Sequence, residues 1–312
     1  MNKIKRSWQD NAIILCLTAL SLLILGQTIG IIIVNIFREI INLMHFDVIS
    51  NRFWEMSINY LFFIGIWLVL ILIFNFNNRN KPILNILWKK PKGNKLNYLI
   101  IGLLIGAGLN AICVLAAYLH GDIKLVFSSF PFLKLLIMFV FTFIQSSSEE
   151  FLCRGYLYQR LVRGGYSILA VIIINSAFFS VLHLLNPGIT LCSILNIFLV
   201  GILCSLCIYY FDSLWLTFAI HSAWNFTQNI VFGLPNSGVV SSFSIYKLNT
   251  HLSRNSFAYD TIFGIEGTFF SIFILGLSCL FFYTIGKKIR RKPINLWNKT
   301  NTDDSVAKLE RK

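Results

Sequence analysis

The stretch PFLKLLIMFVFTFIQSSSEEFLCR, residues 131–154, begins as an apolar run and ends in polar and charged side chains. A helix that crosses a bilayer needs about 20 mainly apolar residues, and the first part of this stretch meets that requirement. Glu149 and Glu150 lie where the run ends. Ionisable groups at membrane depth are costly unless they are paired or hydrated. The stretch therefore predicts a membrane helix that carries a functional site.

Apolar runs of the same kind fill much of the remaining chain. Hydrophobic residues account for 56% of the 312 residues and charged residues for 13%, and the mean hydropathy is +0.70. A soluble globular protein has about 25% charged residues, and disordered or disulfide-rich secreted chains need compositions that this one lacks. The sequence therefore predicts an all-α fold, a polytopic membrane helix bundle.

About eight runs have the length of membrane-spanning helices. They are residues 11–37, 58–76, 97–119, 131–152, 166–186, 189–211, 213–232 and 267–286. No internal repeat and no Gly/Ser-rich or Pro-rich linker divides them. We therefore expect residues 1–312 to form a single multi-pass membrane domain with its core at residues 131–232.

The net charge of +14 lies mainly in short connections between the runs, which indicates membrane topology rather than binding to nucleic acid. The outer connections are balanced, with Lys247 and Arg254 against Asp260 and Glu266, whereas the second connection holds six bases. These bases are Arg79, Lys81, Lys89, Lys90, Lys92 and Lys95. Both termini are therefore predicted to be cytoplasmic, with a basic tail at residues 287–312. The abundance of Ile, Asn, Lys and Phe favours a bacterial cell membrane.

Three of the runs contain polar clusters at helical spacing. The clusters are Glu149, Glu150 and Arg154, then Phe179 and His183, then His221 and Asn225. Residues four apart share a helix face, so each cluster can face one cavity. The alternatives are a solvated helix end for the two glutamates, a position near the outer interface for His183, and a structural role for His221 in the core.

The depth of the clusters can be compared if the fourth helix continues to Arg163 and turns at Gly164 and Gly165. Glu149 and His183 would then lie roughly 22 and 27 Å from the turn, and so share one layer. Residues 155–163 would form a cytoplasmic extension, with the side chains of Arg160 and Arg163 in water. This geometry predicts a site near the cytoplasmic side of the membrane.

The clusters have the form EExxxR, FxxxH and HxxxN, in this order on successive helices. The set resembles the CPBP family of CAAX-protease and bacteriocin-processing intramembrane endopeptidases, also called the Abi family. The resemblance covers residues 131–232. It implies hydrolysis of a peptide bond in a peptide or membrane-protein substrate within the lipid bilayer. Related bacterial members are associated with bacteriocin or signalling-peptide processing and with self-immunity.

The resemblance also implies roles for six residues. Glu149 would activate water as a general base with help from His183, and His221 and Asn225 would stabilise the oxyanion. Glu150 and Arg154 would either position the substrate or neutralise each other and hold the fourth helix.

Two further questions stay open in the sequence. Glu149, His183 and His221 are a plausible zinc ligand set, but the residues fit a metal-free mechanism equally well. A non-enzymatic function is the alternative to proteolysis. The protein would then be an immunity factor that sequesters a peptide, or a proton-coupled peptide transporter.

Overall fold

A computed structural model describes residues 7–43, 52–88, 93–289 and 296–297 of the chain. Its first helices are α1 (Ala12–Leu43), α2 (Arg52–Leu61), α3 (Ile64–Phe76) and α4 (Leu96–Leu119). The next are α5 (Phe132–Glu150), α6 (Tyr158–Arg163), α7 (Ile168–Val181), α8 (Leu191–Phe211), α9 (Leu214–Phe226) and α10 (Phe269–Ile289). Strands β1 (Leu125–Phe127) and β2 (Tyr246–Leu248) form one antiparallel pair, with Leu125 opposite Leu248. The predicted all-α membrane bundle is confirmed.

In the described part of the chain, 6 helical segments are long and apolar enough to cross a membrane. They are Ala12–Leu43, Phe53–Phe76, Leu96–Leu119, Phe132–Arg163, Leu191–Phe211 and Phe269–Ile289. The other two predicted spans hold shorter helices, namely α7 with 14 residues and α9 with 13. Helix α9 continues as a π-helix over Thr227–Val231. All eight predicted runs are therefore helical. Helix α7 is shorter than a bilayer requires, whereas the 13 residues of α9 and the 5 of its π-helical continuation together approach the required length.

The fourth predicted span forms one continuous helical segment of 32 residues, Phe132–Arg163. Helix α5 passes through a π-helix, Phe151–Leu157, into α6. π-Helical turns are rare in proteins, and those that do occur are often found at functional sites. The predicted continuation to Arg163 is confirmed, and Gly165 supplies the positive φ of +72° that the following turn requires.

Arg160 is buried, so the prediction that its side chain lies in water is wrong. The 3-10 turn Trp8–Asp10 packs over the end of α6, and the Asp10 carboxylate lies 2.9 Å from Arg160 and 2.6 Å from Arg79. Burial raises the pKa of the Asp10 carboxyl, but the hydrogen bond and charge of Arg160 and the charge of Arg79 outweigh it and hold the pKa below its ordinary value. Arg163 is half-buried, with its guanidinium 5.1 Å from the ring centroid of Trp297.

Three segments meet at one end of the bundle, which we call the terminal end. They are the second connection, after α3, the start of α9, and the described part of the C-terminal tail. Trp297 Nε1 donates to the carbonyl of Arg79 at 2.9 Å, and Trp215 Nε1 donates to the carbonyl of Leu87 at 2.9 Å. Of the predicted basic tail at residues 287–312, the structure describes only 287–289 and 296–297. Lys89, Lys90 and Lys92 also lie outside the described residues.

Helix α9 packs closely against α4 because α4 presents glycines on the facing side. A Cβ at Gly106 would collide with the carbonyl oxygen of Ile220, and a Cβ at Gly102 would lie 2.6 Å from the Cβ of Ala219. Small residues at this spacing allow helix backbones to approach in membrane bundles. The contact fixes α9, and with it His221 and Asn225, against the rest of the bundle.

Candidate functional site

A cavity of about 590 Å³ lies at the centre of the bundle. Glu149 from α5, His183 from the turn after α7, and His221 and Asn225 from α9 all line it. Volumes of this order are typical of sites for small molecules and short peptide segments. The structure therefore brings four of the six predicted site residues to one cavity wall.

The cavity extends from the middle of the bundle toward the end opposite the terminal end. Its outer wall is formed by Glu55 at the start of α2, Asn186 after α7, and Ser242 in the connection after α9. Glu149 is 14 residues from the end of α6 at Arg163, about 21 Å along the axis. This differs from the predicted position near the end that carries the termini, because residues 155–163 are packed inside the bundle rather than extended into water.

The two adjacent glutamates face different surroundings. The side chain of Glu149 is 17% exposed and lines the cavity, whereas that of Glu150 is fully buried and does not. Successive residues on a helix point about 100° apart, so one carboxylate can face the cavity while the other faces the packed interior of the bundle. Only Glu149 is placed to touch a substrate.

Glu150 forms the predicted ion pair with Arg154, with 2.8 Å between Oε1 and Nη1. Both side chains are 0% exposed. Arg154 Nη2 also donates to the carbonyl of Gly201 at 3.3 Å, and the guanidinium lies 4.4 Å from the ring centroid of Phe179. The pair therefore neutralises itself inside the bundle and ties α5 to α7 and α8.

His221 lies between the two carboxylates. Its Nδ1 is 3.1 Å from Oε1 of Glu150, and its Nε2 is 3.9 Å from Oε2 of Glu149. A carboxylate paired with Arg154 is a hydrogen-bond acceptor. Nδ1 of His221 therefore carries a proton and donates a hydrogen bond to Glu150. Nε2 is then the ring nitrogen that faces Glu149 and the cavity.

His183 lies beyond the end of α7, which ends at Val181 rather than at the predicted residue 186. Pro187 and the positive φ of Gly188, +73°, follow in the turn. Nδ1 of His183 lies 2.8 Å from the carbonyl oxygen of Phe179, and it must donate because a carbonyl only accepts. This leaves Nε2 without a proton in the neutral ring, available to the cavity.

The Phe179 ring contacts both imidazoles. Its centroid lies 4.8 Å from that of His183 and 5.8 Å from that of His221, in edge-to-face geometry. The phenylalanine of the FxxxH motif therefore packs against both histidines and against Arg154.

Asn225 has both ends of its amide engaged. Nδ2 donates to the Ser146 hydroxyl at 3.2 Å, and Oδ1 accepts from Asn236 Nδ2 at 3.1 Å. Asn236 in turn donates to Glu266 Oε1 at 3.3 Å. The amide group of Asn225 is therefore oriented by residues on other segments.

Sequence reasoning missed Ser146, Asn236 and Glu266 as site residues. Glu266 had been assigned to an outer connection, but it is 6% exposed and lies inside the bundle. Neither Asn236 nor Glu266 lies at helical spacing from the polar clusters. The one signal in the sequence was the position of Glu266 directly before an apolar run, and Asn236 had none.

The three residues of the predicted zinc set all line the cavity. Within the part of the chain that the structure describes, however, no group of three His, Cys, Asp or Glu side chains is arranged to hold a metal ion. As placed, Glu149, His183 and His221 do not form a zinc site.

Comparison with known proteins agrees with this geometry. Residues 131–227 match the family model described as Type II CAAX prenyl endopeptidase Rce1-like. The predicted resemblance to the CAAX-protease and bacteriocin-processing family is thereby confirmed for this segment. No curated protein and no solved structure matches the chain. The matched Rce1-like segment contains all six predicted site residues, whereas Asn236 and Glu266 lie outside it.

Proposed function

We propose that the protein is a multi-pass intramembrane endopeptidase that hydrolyses a peptide bond with water activated by Glu149 and His183. One observation supports this most strongly. Four polar side chains from three separate segments line one cavity of the membrane bundle. An aqueous cavity with a base and hydrogen-bond donors is what hydrolysis of an amide requires.

In the proposed first step, Glu149 and Nε2 of His183 hold one water molecule. The water oxygen attacks the carbonyl carbon of the substrate, and its proton passes to Glu149. The electron pair of the carbonyl double bond moves to oxygen, which forms the oxyanion of a tetrahedral intermediate. The oxyanion electron pair then re-forms the carbonyl double bond as the carbon–nitrogen bond breaks, and Glu149 returns the proton to the leaving amine.

Asn225 and His221 are the proposed oxyanion donors. Asn225 offers Nδ2, and protonated His221 offers Nε2–H while its Nδ1–H remains bound to Glu150 at 3.1 Å. Glu150 would thus orient the imidazole from behind, as a carboxylate does in hydrolytic triads. Arg154 would hold Glu150 in place through the 2.8 Å ion pair. These roles assign Glu150 and Arg154 to positioning rather than to contact with the substrate.

The substrate class we propose is a bacteriocin or signalling peptide, or a membrane protein, cleaved for processing or self-immunity. We also propose a bacterial cell membrane with both termini in the cytoplasm. Bases at the terminal end support this orientation, because cytoplasmic connections carry an excess of Lys and Arg. The substrate would then reach the cavity from the opposite side of the membrane. A green fluorescent protein fused to the C-terminus should fluoresce in cells, since it folds in the cytoplasm.

The test of the proposed function is the Glu149→Gln variant in proteoliposomes. The substrates are a library of internally quenched peptides and, separately, a farnesylated CAAX peptide. We expect wild-type cleavage of the peptide library and a loss of about 10²–10⁴-fold in kcat for the variant, because the general base is removed. Glu39→Gln is the matched control, an exposed glutamate on α1 outside the cavity lining. Cleavage by Glu149→Gln at the wild-type rate would refute the proposal, and bacteriocin protection that persists in that variant would favour peptide sequestration.

A further inference from the structure

Glu266 is a buried carboxylate that belongs to none of the three motifs. It accepts hydrogen bonds from Trp224 Nε1 at 2.9 Å, from Asn236 Nδ2 at 3.3 Å, and from the backbone N–H and hydroxyl of Ser237 at 2.6 and 3.2 Å. Buried carboxylates are costly unless their oxygens are hydrogen-bonded, and these donors satisfy that requirement. Glu266 therefore anchors both α9 and the connection that follows it.

The Glu266 carboxyl group sets the direction of a chain of hydrogen bonds. Its Oε1 and Oε2 each accept from a group that can only donate, Trp224 Nε1–H and the backbone N–H of Ser237. Asn236 likewise presents its amide nitrogen to Oε1. The same nitrogen donates to Oδ1 of Asn225 at 3.1 Å. Asn225 must therefore present its oxygen to Asn236. This orientation turns the Nδ2 hydrogens of Asn225 toward Ser146 and the cavity.

A carboxamide can rotate by 180° with little change in shape, and an inverted Asn225 would present an oxygen instead of a donor. The surroundings leave space for such rotation. A second cavity of about 30 Å³, enough for one water molecule, lies beside Asn225 and is also lined by His221, Ser237 and Glu266. Packing alone does not hold the amide in one orientation.

We infer that Glu266 and Asn236 are positioning residues that hold the Asn225 amide with its donor toward the reacting carbonyl. This inference rests on the proposed function, in which Asn225 stabilises the oxyanion. It assigns a catalytic contribution to the connection between α9 and α10, which lies outside the Rce1-like segment.

The experiment is a double-mutant cycle of Asn236→Ala and Asn225→Ala, with kcat and KM measured on the peptide library. Asn225→Ala removes an oxyanion donor and should lower kcat about 10²–10³-fold. Asn236→Ala should lower kcat about fivefold to tenfold, with KM nearly unchanged. This is the effect that the loss of one hydrogen bond has on the equilibrium between the two orientations of the Asn225 amide. In the Asn225→Ala background the second substitution should have no further effect on kcat, because the group it positions is gone.

Glu266→Gln extends the cycle, since it places an amide N–H₂ where one carboxylate oxygen accepts. Its kcat loss should likewise vanish in the Asn225→Ala background. Asn229→Ala is the matched control. Asn229 Nδ2 holds the same connection through the carbonyls of Leu234 and Val239, at 3.1 and 3.0 Å, and no described hydrogen bond joins it to Asn225 or Glu266. Any loss it causes should multiply with that of Asn225→Ala.

Losses that multiply for Asn236→Ala, or an Asn236→Ala variant with full kcat, would overturn the inference. Full activity of Glu149→Gln would instead overturn the proposed function. The same cycle measured as thermal unfolding needs no peptidase activity. We expect non-additive unfolding temperatures for Asn225 and Asn236, and additive temperatures would contradict the inference independently of catalysis.

Discussion

Replacing Arg154 with methionine removes the cation that neutralises Glu150 inside the bundle. The variant loses the 2.8 Å ion pair, the 3.3 Å hydrogen bond to the Gly201 carbonyl and the contact with the Phe179 ring. Removing one partner of a buried ion pair costs about 3–5 kcal/mol, because the remaining charge is uncompensated. At about 2 °C per kcal/mol for a large domain, the unfolding temperature should fall by about 6–10 °C. Intrinsic fluorescence of detergent-solubilised protein measures this temperature.

The double variant Glu150→Met and Arg154→Met separates stability from catalysis. We expect it to recover most of the lost stability, because two apolar side chains leave no unpaired charge. Its peptidase activity should stay low, because His221 loses the carboxylate that holds its Nδ1. A double variant that is as unstable as Arg154→Met, or one that regains wild-type activity, would refute this reasoning.

Arg254→Met is the matched control for the single substitution. Arg254 pairs with the buried Asp122 at 3.2 Å, but its own side chain is 62% exposed. Ser256 and His120 also hydrogen-bond to Asp122. An exposed partner contributes about 0–1 kcal/mol, so the unfolding temperature should change by no more than about 2 °C.

Three other predictions concern the histidine proposed to hold the water, the terminal end and metal. His183→Ala should remain folded in membranes and lose kcat about 10²–10⁴-fold on the peptide library, whereas His251→Ala, in an exposed loop, should cleave at the wild-type rate. Asp10→Asn should unfold with about 1–3 kcal/mol less stability at pH 7, because charged hydrogen bonds to Arg160 are weakened. The pKa of Asp10 is lowered in the folded protein, so the contribution of its carboxylate to the free energy of unfolding is present above about pH 4. This contribution is lost as the pH falls through the folded pKa. The unfolding curves of wild type and variant should therefore converge in acid. Peptidase activity should survive treatment with a metal chelator, and a loss that added zinc restores would replace the proposed mechanism with a metal-dependent one.

The positions of the membrane helices could be predicted because a bilayer demands long apolar runs, and such runs are visible in a single sequence. Their ends could not be predicted with the same accuracy. Leu182, Leu184 and Leu185 extend the apolar run past the end of α7 at Val181. Hydropathy therefore predicts a longer helix, while the turn that begins there places His183 at the cavity.

The polar clusters were recognisable because ionisable residues are rare in apolar runs, and helical spacing indicated which of them share a face. Their surroundings were not recognisable. Arg160 looked like a cytoplasmic residue because nothing in the local sequence shows that Asp10, some 150 residues away, packs against it. Asn236 and Glu266 were missed for the same reason.

The sequence by itself determined that this is a helical membrane protein and that three polar clusters lie in its apolar runs, because both follow from composition and from spacing along one helix. Tertiary structure alone decided that Glu149 faces the cavity while Glu150 is buried against Arg154, and that the cavity extends away from the termini. It also decided that Asn225 is oriented through Asn236 and Glu266. These features depend on helix rotations and on contacts between distant segments, which arise only when the helices pack together.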